Sequence, residues 1–264
     1  MTVVRLEHVW KSYEDREVLK DFSMLVEAGE MKIVLGAGGS GKSTVLKLIP
    51  GLVKPDAGRV YVFGHDITDW NDAELTQIRR RIGMVFQAGA LFDSLTVGEN
   101  VAYRYRELNH LPEPEIQAAV RRLLGFVGLE QTTDKMPDEL SGGMRRRVAI
   151  ARAMAADPEL MLFDEPTAGL DPITARTICE LLMNLRDLRG VTSVLVTHDL
   201  QVAQTLARER AEEQADGTIR YVTDPGLDGV RTRVLMLRDG SVHFEGSLAE
   251  LFQSEDPFVR EFVD

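Results

Sequence analysis

The octet Gly36-Ala37-Gly38-Gly39-Ser40-Gly41-Lys42-Ser43 has the residue types of a phosphate cradle. Small residues let successive backbone N–H groups turn inward around phosphate oxygens. Lys42 can reach the outer phosphates as a point charge, and the Ser43 hydroxyl can ligand Mg²⁺. A second chemical pair, Asp164-Glu165, ends the apolar run Leu160-Met161-Leu162-Phe163. Alone, that pair reads more readily as a solvated turn after a strand. Beside a phosphate loop, the first acid (Asp164) can order Mg²⁺ and its waters, and the second (Glu165) can accept a proton from an attacking water.

A third segment, Leu140-Ser141-Gly142-Gly143-Met144, precedes a helix rich in Arg and Ala. Ser141 suits an N-cap, and the glycines leave N–H groups open toward an anion. The chain therefore has two phosphate-seeking helix starts, at Gly41 and Ser141, in different parts of the sequence. One nucleotide could touch both if two copies met head to tail, and two-fold symmetry would then make two equivalent sites.

The elements that must hold these residues can be read from hydrophobic patterning. Residues 3–9 and 22–27 alternate apolar and polar positions, and Val60-Tyr61-Val62-Phe63 closes at Gly64, as strands do. Ile33–Leu35, Ile82–Phe86, Leu160–Phe163 and Ser193–Val196 read as buried strands. They alternate with helical stretches, which indicates an α/β sheet with a parallel centre. The region from about 88 to 156 reads instead as helices, notably Glu115–Val127 and Met144–Ala155, inserted between two core strands. No internal repeat or low-complexity tract is present.

Composition narrows the possibilities further. A chain of 264 residues can bury roughly three quarters of its unfolded surface without a metal or disulfide staple. Cys179 is the only cysteine, which excludes an intrachain disulfide and fits a reducing compartment. The formal net charge of −11 argues against a nucleic-acid partner. No apolar run approaches the roughly 18 residues that span a bilayer, and Met1–Glu7 lacks a signal-peptide core. The expectation is a protein that is soluble by itself or held at a membrane by another protein.

In this order, the pieces resemble the nucleotide-binding domain of ABC transporters over about residues 3 to 250. The similarity rests on the 36–43 loop, Gln87, Leu140–Met144, Asp164-Glu165, Ala168-Gly169-Leu170-Asp171 and His198. It implies a P-loop NTPase core of the ABC ATPase type: a mostly parallel sheet with an antiparallel β subdomain and an inserted helical lobe. The implied bounds are a single domain over 1–264, with core 1–87 and 157–250, lobe about 88–156, an extra hairpin about 208–233 and a short C-terminal tail 251–264. ATP would be bound by Tyr13, stacking on adenine, and by the loop residues Gly36, Ala37, Gly38, Gly39, Ser40, Gly41, Lys42, Ser43 and Thr44. Ser141, Gly142, Gly143 and Asp171 would approach from the opposite subunit. Mg²⁺ would be held by Ser43, Gln87 and Asp164, and the catalytic group would be Glu165, His198, Lys42 and Gln87. The implied partners are a second copy and a transmembrane permease, with no nucleic acid, at the cytoplasmic face of the inner (plasma) membrane.

A narrower similarity, to the ATPase of Mla-type phospholipid transporters, lies in residues 86–97, Met144, Asp171-Pro172-Ile173-Thr174 and Asp256–Phe262. It implies MCE-domain and accessory regulatory partners. The same motor serving another solute, a soluble ATPase acting on nucleic acid or ribosomes, and a small-molecule kinase are the competing readings. The kinase does not account for Leu140–Met144 or His198. Departures from the family are Ala37 where Pro is usual and Gly38 where Asn or Ser is usual. A further departure is a longer stretch from about 208 to 233, where residues 217–223 followed by Asp224-Pro225-Gly226 suggest an added hairpin, either decoration or docking site. The Mla-type family often carries a longer C-terminal arm, and the expectation for this chain is that the arm is absent or shortened. Leu91, Phe92 and Leu95 either help line a groove for a permease helix or pack the lobe.

Overall fold

The computed structural model describes residues 1–108, 111–155, 157–223 and 231–263. Its first half runs β1 (Thr2–Tyr13), β2 (Arg16–Glu27), β3 (Met31–Leu35), α1 (Lys42–Leu48), β4 (Ala57–Val62), β5 (His65–Asp66), α2 (Asp72–Arg79) and β6 (Ile82–Val85). Three helices follow: α3 (Val97–Leu108), α4 (Glu113–Phe126) and α5 (Gly142–Met154). The chain then runs β7 (Leu160–Asp164), α6 (Pro172–Asp187), β8 (Thr192–Thr197), α7 (Leu200–Arg208), β9 (Glu209–Glu213) and β10 (Ile219–Thr223). It ends with β11 (Thr232–Arg238), β12 (Ser241–Gly246), α8 (Leu248–Gln253) and α9 (Pro257–Val263).

β3, β7 and β8 are buried along their whole length, because each is covered on both faces. They form the centre of a sheet ordered β12-β11-β3-β8-β7-β6, parallel except for the β11–β12 pair. Alternate side chains feed two cores. Ile33, Leu35, Met161 and Phe163 join the apolar faces of α3–α6. Val34, Leu162, Val194 and Val196 meet α1 and the antiparallel sheet β2-β1-β4-β5. The strand ends thus lie between two packed layers, and the loops that follow them gather at one edge. Lys32, inside β3, is fully buried, and its ammonium is paired with Glu30 Oε1 at 2.9 Å and Glu245 Oε1 at 2.7 Å. Cys179, in α6, is buried, and burial pushes its thiol up to about 12.

The fold is of the P-loop α/β class with an antiparallel β subdomain and helices. Two differences from the sequence reading have physical causes. The pair β11–β12 was not read as strands, although Val234-Leu235-Met236-Leu237 is an unbroken buried run. A run that short fits a buried helix segment equally well. The hairpin of the 208–233 stretch pairs β10 backward onto β9, with the turn at 214–218 closed by Gln214 N–H donating to Thr218 O. Asp224-Pro225-Gly226, where a turn was expected, lies outside the described residues.

Candidate active site

β3 ends at Leu35 and α1 begins at Lys42, so the octet is the turn between them. Two of its glycines are sterically required. A Cβ on Gly36 would lie 2.6 Å from the Leu237 carbonyl oxygen, and one on Gly41, at φ +109°, would lie 2.8 Å from that of Val18. At Gly38 a Cβ would meet nothing within 4 Å, and that residue is exposed beside Ala37.

Lys42 folds back over the loop. Its Nζ donates to Gly36 O at 2.8 Å and Ala37 O at 3.0 Å, and lies 3.7 Å from Glu165 Oε1. Burial holds its ammonium below the usual lysine value, while the Glu165 carboxylate pulls the other way. Ser43 Oγ donates to Asp164 Oδ1 at 3.0 Å. Burial raises the Asp164 carboxyl, against the lowering effect of that hydrogen bond. β7 supplies Asp164 as its last residue, and the chain turns sharply at Glu165, whose φ is +47°. Glu165 N–H donates to Val196 O at 3.0 Å, and its Oε2 lies 2.9 Å from His198 Nδ1, just past the end of β8. Three neighbouring parallel strands therefore bring Lys42, Asp164, Glu165 and His198 to one point.

Lys42, Ser43, Glu165 and His198 face a cleft of about 500 Å³, lined also by Tyr13, Arg16, Gly38, Gly39, Gly41, Thr44 and Gln87, while Asp164 reaches it only through Ser43. Tyr13 is 41% exposed, and Lys11 Nζ stands over its ring 5.5 Å from the centroid. Ser40 also belongs to the loop, and its Oγ is buried with no hydrogen-bond partner among the described residues. Two arginines near this cleft escaped the sequence reading. Arg16 follows Tyr13 across the β1–β2 turn and donates to Gly39 O at 3.3 Å. Arg146 reaches the backbone around Glu165. The only signal was a generic one, basic residues near a phosphate loop and in an Arg-rich helix.

Ser141, Gly142, Gly143 and Asp171 do not line this cleft. Ser141 caps α5, its Oγ accepting from Met144 N–H at 3.3 Å, and Ser141 and Gly142 are exposed. Gly143 lies under the start of α6: a Cβ there would sit 2.2 Å from Thr174 Cγ2. Asp171 caps α6, accepting from Ile173 N–H at 3.1 Å, Thr174 N–H at 3.0 Å and the Thr174 hydroxyl at 2.6 Å. The Thr174 hydroxyl leads in holding that carboxyl below its ordinary value.

A separate groove of about 490 Å³ runs between β6 and the helices, lined by Met84, Phe86, Ala90, Phe92, Tyr103, Arg104, Glu107, Arg152 and Ala153. Phe92 and Tyr103 meet there with ring centroids 4.7 Å apart. Leu91 and Leu95 are not among its lining residues, and Leu91 packs on the core.

Residues 19–168 match the ABC transporter family. The chain is 37% identical over 249 residues to the intermembrane phospholipid transport system ATP-binding protein MlaF of Haemophilus influenzae, covering 94% of this chain and 85% of that one. It is 39% identical over 212 residues to the methionine import ATP-binding protein MetN of Bifidobacterium longum, covering 78% and 53%. Among solved structures, it is similar to the post-hydrolysis dimer of the ATP-binding cassette MJ0796 bound to ADP and Pi. That match has a TM-score of 0.78 and 35% identity, and it covers 93% of this chain and 98% of the other.

Proposed function

This chain belongs to the ABC transporter family and is an ATP hydrolase, and from that premise we propose that it is the motor subunit of a membrane phospholipid transporter. Cassettes of this family dimerise and work with transmembrane permeases. For this chain we take the dimer to be two copies of itself, seated head to tail on a permease at the cytoplasmic face of the inner membrane. No helix among the described residues is long and apolar enough to cross a membrane, so the link to the bilayer is through that partner. The single observation that carries the lipid reading is the 37% identity to the phospholipid-transport relative across 94% of the chain. MCE-domain and accessory regulatory proteins are the further partners this reading calls for.

ATP lies in the cleft with adenine on Tyr13 and its phosphates in the 36–44 loop. The hydrogen bonds that Lys42 makes to Gly36 O and Ala37 O place its ammonium over the loop, where it neutralises phosphate charge. Ser43 and Asp164 offer a hydroxyl and a carboxylate, the oxygen donors that Mg²⁺ takes, and Gln87 stands at the cleft wall. Bound there, Mg²⁺ would neutralise charge on the phosphate oxygens. Among the described residues no three His, Cys, Asp or Glu side chains cluster, and further oxygen donors would have to come from phosphate and water. Glu165 polarises the attacking water and takes its proton, and His198 fixes the Glu165 carboxylate by their 2.9 Å contact. The second copy brings Ser141 and the N–H groups of Gly142 and Gly143 to the outer phosphate, and closure excludes water. Hydrolysis removes the group that held the two copies together, and the opening is passed to the permease. The groove at Phe92 and Tyr103 is the place for a short permease helix.

The test is co-purification from detergent-solubilised membranes followed by mass spectrometry of bound lipid. Phospholipid on a complex that holds a permease supports the reading. A complex that carries no lipid and whose ATPase rate rises with an amino acid supports the second reading, transport of another solute, which the 39% identity to a methionine-import ATPase favours.

A further inference from the structure

We infer that Arg146 is a positioning residue for Glu165, linking the helix that caps the partner's nucleotide to the proton acceptor of its own cleft. The inference rests on the proposed roles of Glu165 and Ser141.

Three consecutive arginines on α5 point to three different places. Arg145 donates to Leu140 O at 3.1 Å, and Arg147 donates to Val127 O at 2.9 Å, so both serve the helical lobe. Arg146 turns to the strand-end loop. Its Nη1 donates to Glu165 O at 2.9 Å and Pro166 O at 2.8 Å, and its Nη2 to Ala168 O at 3.1 Å. Three carbonyls converging on one planar fork fix the loop in position and in orientation.

Glu165 needs such holding. At φ +47° it occupies a left-handed conformation that non-glycine residues adopt only when the surroundings impose it. Its N–H is tied to Val196 O at 3.0 Å on β8. Its carbonyl is tied to Arg146 and also accepts from Ala168 N–H at 3.2 Å. The carboxylate is thus aimed by a backbone pinned on one side to the sheet and on the other to α5.

Ser141 caps the helix that carries Arg146, about 1.4 turns away. A helix this short and this well packed moves as a unit. When Ser141 engages the nucleotide of the opposite cleft, the seat of α5 sets where Arg146 holds the 165–168 loop. Occupancy of one cleft is thereby read in the geometry of the other.

The experiment compares R146M, R146K, E165Q and the double variant R146M/E165Q in the full chain, with thermal melts to confirm folding. R146M removes the donors, and we expect kcat to fall about 10²-fold, the scale of a misplacement near 1 Å. The Kd for ATP should stay within about twofold, because loop 36–44 is untouched. R146K, with one ammonium for a fork, should recover part of the rate. The double variant should hydrolyse no more slowly than E165Q, since a misplaced group that is already disabled costs nothing more. A folded R146M with wild-type kcat overturns the inference, as does a double variant slower than E165Q by the full R146M factor. Should R146M fail to fold, R146K decides alone, and an unchanged kcat there is fatal. If E165Q itself turns over normally, the base reading falls and takes this inference with it. An inactive E165Q beside an unaffected R146M removes the inference only.

Discussion

The two glycine-rich helix starts differ in what their own chain gives them. Around the 36–43 loop the fold assembles a cation, two carboxylates and an imidazole: Lys42 and His198 both reach Glu165, and Asp164 accepts from Ser43. Around Ser141 it assembles only a cap and packing: an exposed hydroxyl, an exposed Gly142, and a Gly143 pressed against Thr174. The first start can bind and cleave in principle but stays open on one side. The second can contribute N–H groups, but the cation nearest it, Arg145, is turned back onto Leu140 O at 3.1 Å. An arrangement so lopsided makes sense when each copy lends its poorer start to the richer start of a twin.

The sharpest way to break this contrast is to disable chemistry at the richer start while leaving its binding groups. Glu165→Gln should reduce turnover by about 10³-fold, within the range expected for loss of a general base. ATP binding should persist, and closed dimers should accumulate on gel filtration with ATP. Normal turnover in this variant would remove Glu165 as the proton acceptor. Next in size is Lys42→Ala. It deletes the ammonium that donates to Gly36 O and Ala37 O. Charge-assisted hydrogen bonds contribute about 1.5–3 kcal/mol, so the Kd for ATP by titration calorimetry should rise by about 10- to 100-fold. An unchanged Kd would mean that the cradle has been misread.

The poorer start is tested by asking for a loss that depends on the second copy. Ser141→Ala removes the acceptor for Met144 N–H and the hydroxyl offered to the twin. Turnover should fall by about tenfold, on the scale of one lost hydrogen bond to a charged group. Nucleotide affinity of the isolated chain should not change. The rate per molecule of the wild-type protein should also fall on dilution. A Ser141→Ala variant that loses affinity in dilute, monomeric samples would place Ser141 in its own chain's cleft and end the contrast.

The richer start was the more legible in sequence, for a physical reason. A phosphate loop demands glycines at fixed offsets between a strand and a helix, and Gly36, Gly41, Lys42 and Ser43 meet that demand locally. Asp164-Glu165 was readable because two carboxylates directly follow an apolar strand run, although both stay buried in the fold. The buried runs of β3, β6, β7 and β8 and the helices α4 and α5 could be read in the same way. What stayed hidden depends on distant contacts. No spacing tells that Arg146, and neither Arg145 nor Arg147, faces Glu165, because helix rotation is set by packing against α6 and the sheet. The need for Gly143 comes from Thr174 on another helix. β11 lies between β12 and β3, a place fixed by topology, and its short apolar run does not announce it.

Within the richer start itself, the loop divides into residues that shape it and residues that merely cover it. Gly36 and Gly41 belong to the first kind, since a Cβ on either meets a carbonyl oxygen under 3 Å away. Gly38 belongs to the second, and it is also the position where the family usually has Asn or Ser. Its surroundings are open to 4 Å, and its φ is not left-handed. Gly38→Ser should therefore change stability by no more than about 0.5 kcal/mol, as surface substitutions do. Its hydroxyl should lower the Kd for ATP by about two- to threefold, the low end of what one neutral hydrogen bond supplies. Gly41→Ala, run beside it, should lower the melting temperature and weaken ATP together. Equal behaviour of the two variants would show that the cradle's shape does not depend on the backbone contact at Val18, and the division of the loop into shaping and covering residues would be gone.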